Sequence, residues 1–193
     1  MMQEFINFVQ ELFPSISPYT KEKIKDALKQ FYISGKTLNC FMLHPLNELC
    51  QGDIVEDLPF SRYDINGNRS IFKTKGILLS NSCDAENDDT IVFAPLLPID
   101  KINLGKNSID NITKNLNYRL LYFPDHMFKD YVIDLSLLNS YNKHMIVNAI
   151  SDGKIKRVAS LSQFGYYLFL CKLTVHFFRP EDTGVQELRK LTV

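Results

Sequence analysis

The densest run of side chains able to do chemistry is Ser80-Asn81-Ser82-Cys83-Asp84. It follows directly on the apolar Gly76-Ile77-Leu78-Leu79, where a strand hands over to a loop, and loops on a rigid scaffold are where functional groups concentrate. A Cys83 nucleophile would need a base to hold it as thiolate. Asp84, Glu86, Asp88 and Asp89 instead surround it with negative charge, which favours the neutral thiol. Asn81 and Asp84 also belong to the residue types that shape turns by bonding nearby backbone. The run is expected to be a shaped turn or a contact for a ligand or partner, with Asn81, Ser82, Cys83 and Asp84 as the binding candidates.

Other chemistry-bearing residues are scattered. His44, His126, His144 and His176 occur singly, without an HxxxH pair or a cysteine at ligand spacing, so no metal site is expected. His176 reads as a packed, hydrogen-bonded side chain or a helix-terminus cation. Asp53, Glu56 and Asp57 lack a companion constellation for magnesium and read as a solvated strand end. Lys154, Lys156 and Arg157, with Arg179, could touch a nucleic-acid backbone but read better as a solvated basic face. Tyr19, Phe31, Tyr32, Phe60 and Tyr63 could stack on a ligand, although their spacing favours the core. No Walker A, GxGxxG, GxSxG or HExxH string occurs, which leaves nucleotide hydrolysis, dinucleotide redox, serine-hydrolase and zinc-protease chemistry without support.

The background is that of an ordinary globular domain: 193 residues, 45% hydrophobic, and 22 Lys+Arg balancing 22 Asp+Glu. A neutral chain is no general magnet for nucleic acid or anionic lipid. Cys40, Cys50, Cys83 and Cys171 lie far apart, without a CxxC, and read as reduced thiols in a cytoplasmic protein, three of them as small buried hydrophobes. The opening MMQEFINFVQELF carries Glu4 where a signal peptide wants positive charge, so no export is expected. The most apolar stretch, Phe164 to Cys171, is far short of the roughly 20 residues that span a bilayer.

The elements that must position these residues are legible in the periodicity. Phe5, Ile6, Val9, Leu12 and Phe13, then Ile24, Leu28 and Phe31, predict two amphipathic helices, the second capped by Ser17 with Pro18 at its first position. From Gln51 the texture turns to short β-prone runs: Ile54-Val55, Ser70 to Lys73, Gly76 to Ser80, Thr90 to Ala94, Tyr118 to Phe123 and Tyr131 to Leu135. Asp64-Ile65-Asn66-Gly67-Asn68 and Asn87-Asp88-Asp89 read as hairpin loops. Ser108 to Leu116 predicts a short helix capped by Ser108, and Leu161 to Phe178 a long, largely buried one stopped by Pro180.

The order Gly52-Asp53-Ile54-Val55, a polar hairpin, Gly76-Ile77-Leu78-Leu79-Ser80, then Ile91-Val92-Phe93-Ala94-Pro95-Leu96 resembles the PemK/MazF family of small SH3-like β-barrels. Val132-Ile133-Asp134-Leu135-Ser136, then Lys143 to Ile146 and a helix near the end, look like that family's late strand and C-terminal helix. The resemblance covers roughly residues 51–165. It implies an endoribonuclease of toxin–antitoxin type, cutting RNA without metal through an Arg before the second strand and a Thr or Ser after the Pro-Leu step. This chain departs at both places, with Thr74 in the position of the Arg and Leu97 in that of the hydroxyl. Threonine makes no bidentate phosphate fork, and leucine transfers no proton.

The expectation is therefore an α+β protein: an SH3-like β-barrel over residues 50–193 with a buried C-terminal helix, preceded by an N-terminal helical extension over 1–49. Functionally it is a cytoplasmic, non-catalytic binding or regulatory module of a prokaryotic toxin–antitoxin-like or phage-defence system, without cofactor or metal. Its partner would be a protein encoded nearby or a second copy, with RNA as a further ligand and no membrane contact. The alternative is a divergent endoribonuclease in which Lys73 or Lys75, Arg62 or Arg69, and Ser80 or Ser82 rebuild the missing groups.

Overall fold

The computed structural model describes residues 39–102, 106–178 and 183–190. The helical pair expected before Gly35 lies outside them. The elements in chain order are β1 (Phe41–Met42), β2 (Ile54–Tyr63), β3 (Arg69–Leu78), α1 (Ser82–Asn87), β4 (Thr90–Pro98), α2 (Lys106–Thr113), β5 (Leu120–Leu121), β6 (Tyr131–Asp134), β7 (Asn139–Asn142), α3 (Lys143–Ser151), β8 (Arg157–Leu161), α4 (Gln163–Phe178) and α5 (Thr183–Lys190). The strands form one antiparallel sheet in the order β1-β8-β2-β3-β4-β6-β5, with β7 also on β4.

The mixture of helix and strand is as expected, and the hairpin at Asp64–Asn68 is where the turn residues put it. Asp64 Oδ1 accepts from the Asn66 and Asn68 amides at 2.9 and 2.8 Å, while Gly67 takes φ +80°. These bonds, the Asn68 side chain first among them, hold the Asp64 carboxyl below its ordinary pKa. Two expected runs, Ser70–Lys73 and Gly76–Ser80, are one strand. Gly76 keeps it continuous because a Cβ there would sit 2.7 Å from Leu58 Cδ1 and 2.9 Å from Phe60 Cζ. The second expected hairpin is corrected: Asn87 ends a helix, so β3 reaches β4 through α1 and not through a tight turn. The helix expected from Ser108 begins two residues earlier, at Lys106. The boundary expected at residue 50 has β1 on its N-terminal side, paired with β8.

Successive residues on a strand face opposite ways, so β2, β3 and β4 feed two apolar clusters. Ile54, Ile77, Ala94 and Leu96 face one, covered by Leu168 and Phe169 of α4. Val55, Leu78, Ile91 and Phe93 face the other, covered by Tyr141 and by Ile146 of α3. Full burial of a side chain such as Phe60 or Phe169 is worth about 1.5–3 kcal/mol. A bulge between Val55 and Leu58, with Asp57 at φ 59°, bends β2 so that both of those residues stay inside.

The strand pairing does not close a barrel. Among the described residues nothing pairs β1 with β5, the two ends of the sheet. Side chains join them instead. Asp125, four residues after β5, is fully buried; its Oδ2 accepts from the Cys40 and Phe41 amides of the β1 segment at 2.7 and 3.1 Å, and its Oδ1 from the Met127 amide at 2.8 Å. Phe41 packs edge-on against Phe123 and Phe128, with ring centroids 5.0 and 4.6 Å away. α4 lies directly over this seam. Ser162 accepts from the Gly165 amide and donates to Asn39 O, and Gly165 approaches so closely that a Cβ would stand 2.0 Å from Cys40 O.

Replacing Asp125 by Ala strands two buried amides and one partly buried one, and should cost about 3 kcal/mol or more in urea unfolding. Asp125→Asn, which keeps one acceptor oxygen, should cost less. Equal and small losses in both variants would show that the seam does not depend on the carboxylate.

Candidate functional site

The Ser80–Asp84 run is a folded connection whose polar groups bond backbone. Ser80 Oγ accepts from the Val92 amide at 2.9 Å, holding the start of the connection against β4. Asn81 caps α1, its side chain accepting from the Cys83 amide at 3.0 Å. Ser82 Oγ accepts from the Gln51 amide at 3.0 Å. The Gln51 side chain donates to Leu79 O and accepts from the Tyr166 hydroxyl. Asp84 sits exposed in the first turn of α1, and Cys83 is an exposed free thiol. Cys50 is half-buried, not the fully buried cysteine expected, and burial, with the Asp53 carboxylate, pushes its thiol pKa up.

The β2–β3 hairpin carries the basic candidates. The register alternates, so Pro59, Ser61 and Tyr63 of β2 share a face with Lys73, Ile71 and Arg69 of β3, each opposite its partner. Arg62 lies on the other face, its guanidinium 5.8 Å from the Phe72 ring centroid and its Nε 3.4 Å from Ser70 Oγ. Lys75 is tied down by Glu56 at 3.0 Å and lies 5.2 Å from the Tyr131 ring centroid. Burial opposes its charge, yet Glu56 more than offsets that and holds the ammonium above the ordinary lysine pKa, so Lys75 is a fixed cation and no base. Thr74 donates to Leu96 O at 2.6 Å, and Leu97 pairs with Val132 in the sheet.

These groups do not converge. Ser80 lies just past one end of β3 and Arg69 at the other, and the strand between them is about 30 Å long at roughly 3.3 Å per residue. Lys73 and Arg69 share one face, whereas Arg62 points away from them and Lys75 is in an ion pair.

Of the residues read as solvated, Asp53 is buried and Arg157 is half-buried. Asp53 is fully enclosed: one oxygen accepts from the Cys50 amide at 2.9 Å and Arg157 Nη1 at 3.2 Å, the other from the Ser160 hydroxyl. Arg157 further donates to the carbonyls of Leu46, Asn47 and Glu48, and Ser160 Oγ accepts from the Leu46 amide. Together they staple the segment 46–53 onto β8. Burial raises the Asp53 pKa, opposed by these hydrogen bonds and by Arg157. Gly52, at φ +88°, brings the chain in; a Cβ there would meet Leu161 Cδ1 at 2.2 Å. No local pattern announces this cluster, since Asp53 and Arg157 are more than a hundred residues apart.

Elsewhere the imidazoles stay separate. His176 Nδ1 lies 3.0 Å from Tyr118 O, while His126 and His144 stand 3.5 Å from Asp125 and Asp89. Among the described residues no group of three or more His, Cys, Asp or Glu side chains is placed to hold a metal ion, and no helix is long and apolar enough to cross a membrane. No family model matches the chain, and no curated protein is significantly similar to it.

If the Ser80 and Ser82 hydroxyls serve the fold, Ser80→Ala and Ser82→Ala should each lower unfolding stability by about 1 kcal/mol, because each strands a partly buried backbone amide. Lys73→Ala, at an exposed position, should stay within about 0.5 kcal/mol of the parent. Chemical denaturation reads all three; unchanged stability in both serine variants would contradict the assignment.

Proposed function

We propose that this protein is a cytoplasmic, non-catalytic binding module with a PemK/MazF-like, SH3-like barrel architecture. It serves a prokaryotic toxin–antitoxin-like or phage-defence system by engaging a protein partner encoded nearby. The architecture rests on the GDIV strand, the hairpin and the IVFAPL strand, which belong to one antiparallel sheet with β2 and β4 on either side of β3. One observation carries the functional half: the polar groups that a metal-free ribonuclease would need are committed to structural hydrogen bonds or an ion pair. Thr74 is bonded to Leu96 O, Ser80 to the Val92 amide, Lys75 to Glu56, and Leu97 offers no hydroxyl. General acid–base work requires a group free to exchange a proton with the substrate.

Induced expression in a bacterial host tests this. Cells making the parent protein should grow at the same rate as cells making Lys75→Ala or Ser80→Ala at matched soluble levels. Growth arrest by the parent, relieved by either substitution in a folded variant, would contradict the reading and identify a toxin nuclease.

A further inference from the structure

The hairpin that carries the basic residues outruns its neighbours in the sheet. β2 and β3 pair from Ile54↔Ile77 to Tyr63↔Arg69, but β4 joins β3 only at Gly76, Ile77 and Leu78, and β8 joins β2 only at Ile54 and Val55. The outer half of the hairpin thus has two strand edges. That of β2 is guarded: the Asn139 side chain accepts from the Ser61 amide at 2.9 Å and donates to Ser61 O at 3.3 Å, and the Tyr141 hydroxyl donates to Pro59 O at 3.1 Å. That of β3 over residues 69–73 has no partner strand among the described residues.

The Asn139 contact also fixes which backbone groups the open edge presents. In an antiparallel pair, opposed residues either exchange both hydrogen bonds or both turn outward. Ser61 turns outward to Asn139, so its partner Ile71 turns outward as well, and by the same alternation so do Arg69 and Lys73. Their side chains form one row with Tyr63 beside them. Ile71 is 63% exposed and Tyr63 69%. Neither Arg69 nor Lys73 pairs with a described acidic side chain. The carboxylate of the turn itself, Asp64, is engaged by the Asn66 and Asn68 amides and the Asn68 side chain.

This row selects its occupant. A second copy adding its own β3 about Ile71 would set Arg69 against the other copy's Lys73, and like charges directly opposed destabilise a ladder. A partner strand with acidic residues two positions either side of an apolar one meets both cations and covers Ile71. We propose that β3 residues 69–73 are a docking edge for an extended acidic segment of a partner protein, which adds as an antiparallel strand with an acidic-x-apolar-x-acidic face. This deepens the binding-module reading and rests on it.

The test is fluorescence anisotropy of full-length protein with the labelled peptide Ser-Thr-Glu-Thr-Val-Thr-Glu-Thr-Ser. The Glu-to-Lys version of the peptide and a single-stranded RNA of equal length serve as competing probes. The acidic peptide should bind and the basic one should not. Arg69→Glu with Lys73→Glu should weaken binding about tenfold or more. Ile71→Pro removes one outward amide at an edge position that tolerates proline, and should weaken it about fivefold with the melting temperature unchanged. The proposal is overturned by no peptide binding, by equal binding of the basic peptide, or by binding indifferent to Ile71→Pro. RNA binding lost in the charge-reversed variant but kept in Ile71→Pro also overturns it, and marks the arm as a nucleic-acid surface. Cleavage of the RNA probe is a separate signal and counts against the binding-module reading itself.

Discussion

One buried carboxylate lets an open sheet behave as an enclosed one. A bent sheet of short strands leaves two edges, and edges cost stability or invite foreign strands. Here the ends come together around Asp125, whose two oxygens take three backbone amides from both sides of the seam. A side chain does in one step what a strand pair would do with several bonds. It works because the surroundings are dry: Cys40, Phe41, Phe123 and Phe128 are all buried there, and in so apolar a setting the Cys40 thiol is pushed up to about 12 by burial, with the Asp125 charge adding to it. α4 can seal the seam only because Gly165 has no side chain.

Asp53 repeats the device on the other side of β8. It and Arg157 form an ion pair largely removed from water, an arrangement that seldom adds net stability over apolar packing but is costly to break on one side only. What the pair achieves is positional: the segment 46–53, without regular structure of its own, is fixed through three carbonyls and two amides. α2 is finished in a related way. Asn115, in the left-handed region, ends the turn, and Lys172 donates to the carbonyls of Asn115 and Asn117; burial lowers the Lys172 pKa to about 8. Polar chemistry in this molecule is spent mostly on backbone. The Thr74, Ser80 and Ser82 hydroxyls are all engaged in this way, each bonded to a backbone group.

Much of the fold was legible because local physics decides it. The Asp64–Asn68 turn, the strands through Ile54-Val55 and Ile91–Ala94, and the helix ending at Phe178 follow from turn chemistry and periodicity within a few residues. The misses have a common cause. β1 and β7 are two and four residues long and exist through their partners, and Arg157, at the start of β8, gives no sign in the sequence that its guanidinium turns inward. α1 was hidden by its cap-forming residues, which serve equally well in turns. At the candidate site the residue types were readable, while their partners, Val92 for Ser80, Gln51 for Ser82 and Asn139 for Ser61, are tertiary neighbours that no local pattern encodes.

An open antiparallel sheet in which Thr74, Ser80 and Ser82 are engaged in structural hydrogen bonds, and a cationic strand edge with no partner strand among the described residues, support the proposal that this protein holds another chain and does not cut RNA. The most direct check is to incubate purified protein, without metal, with a mixed pool of single-stranded and structured RNA and to sequence the new ends. The account predicts an RNA population indistinguishable from the no-protein control. Reproducible cuts that disappear in a folded Lys75→Ala, Ser80→Ala double variant would contradict it.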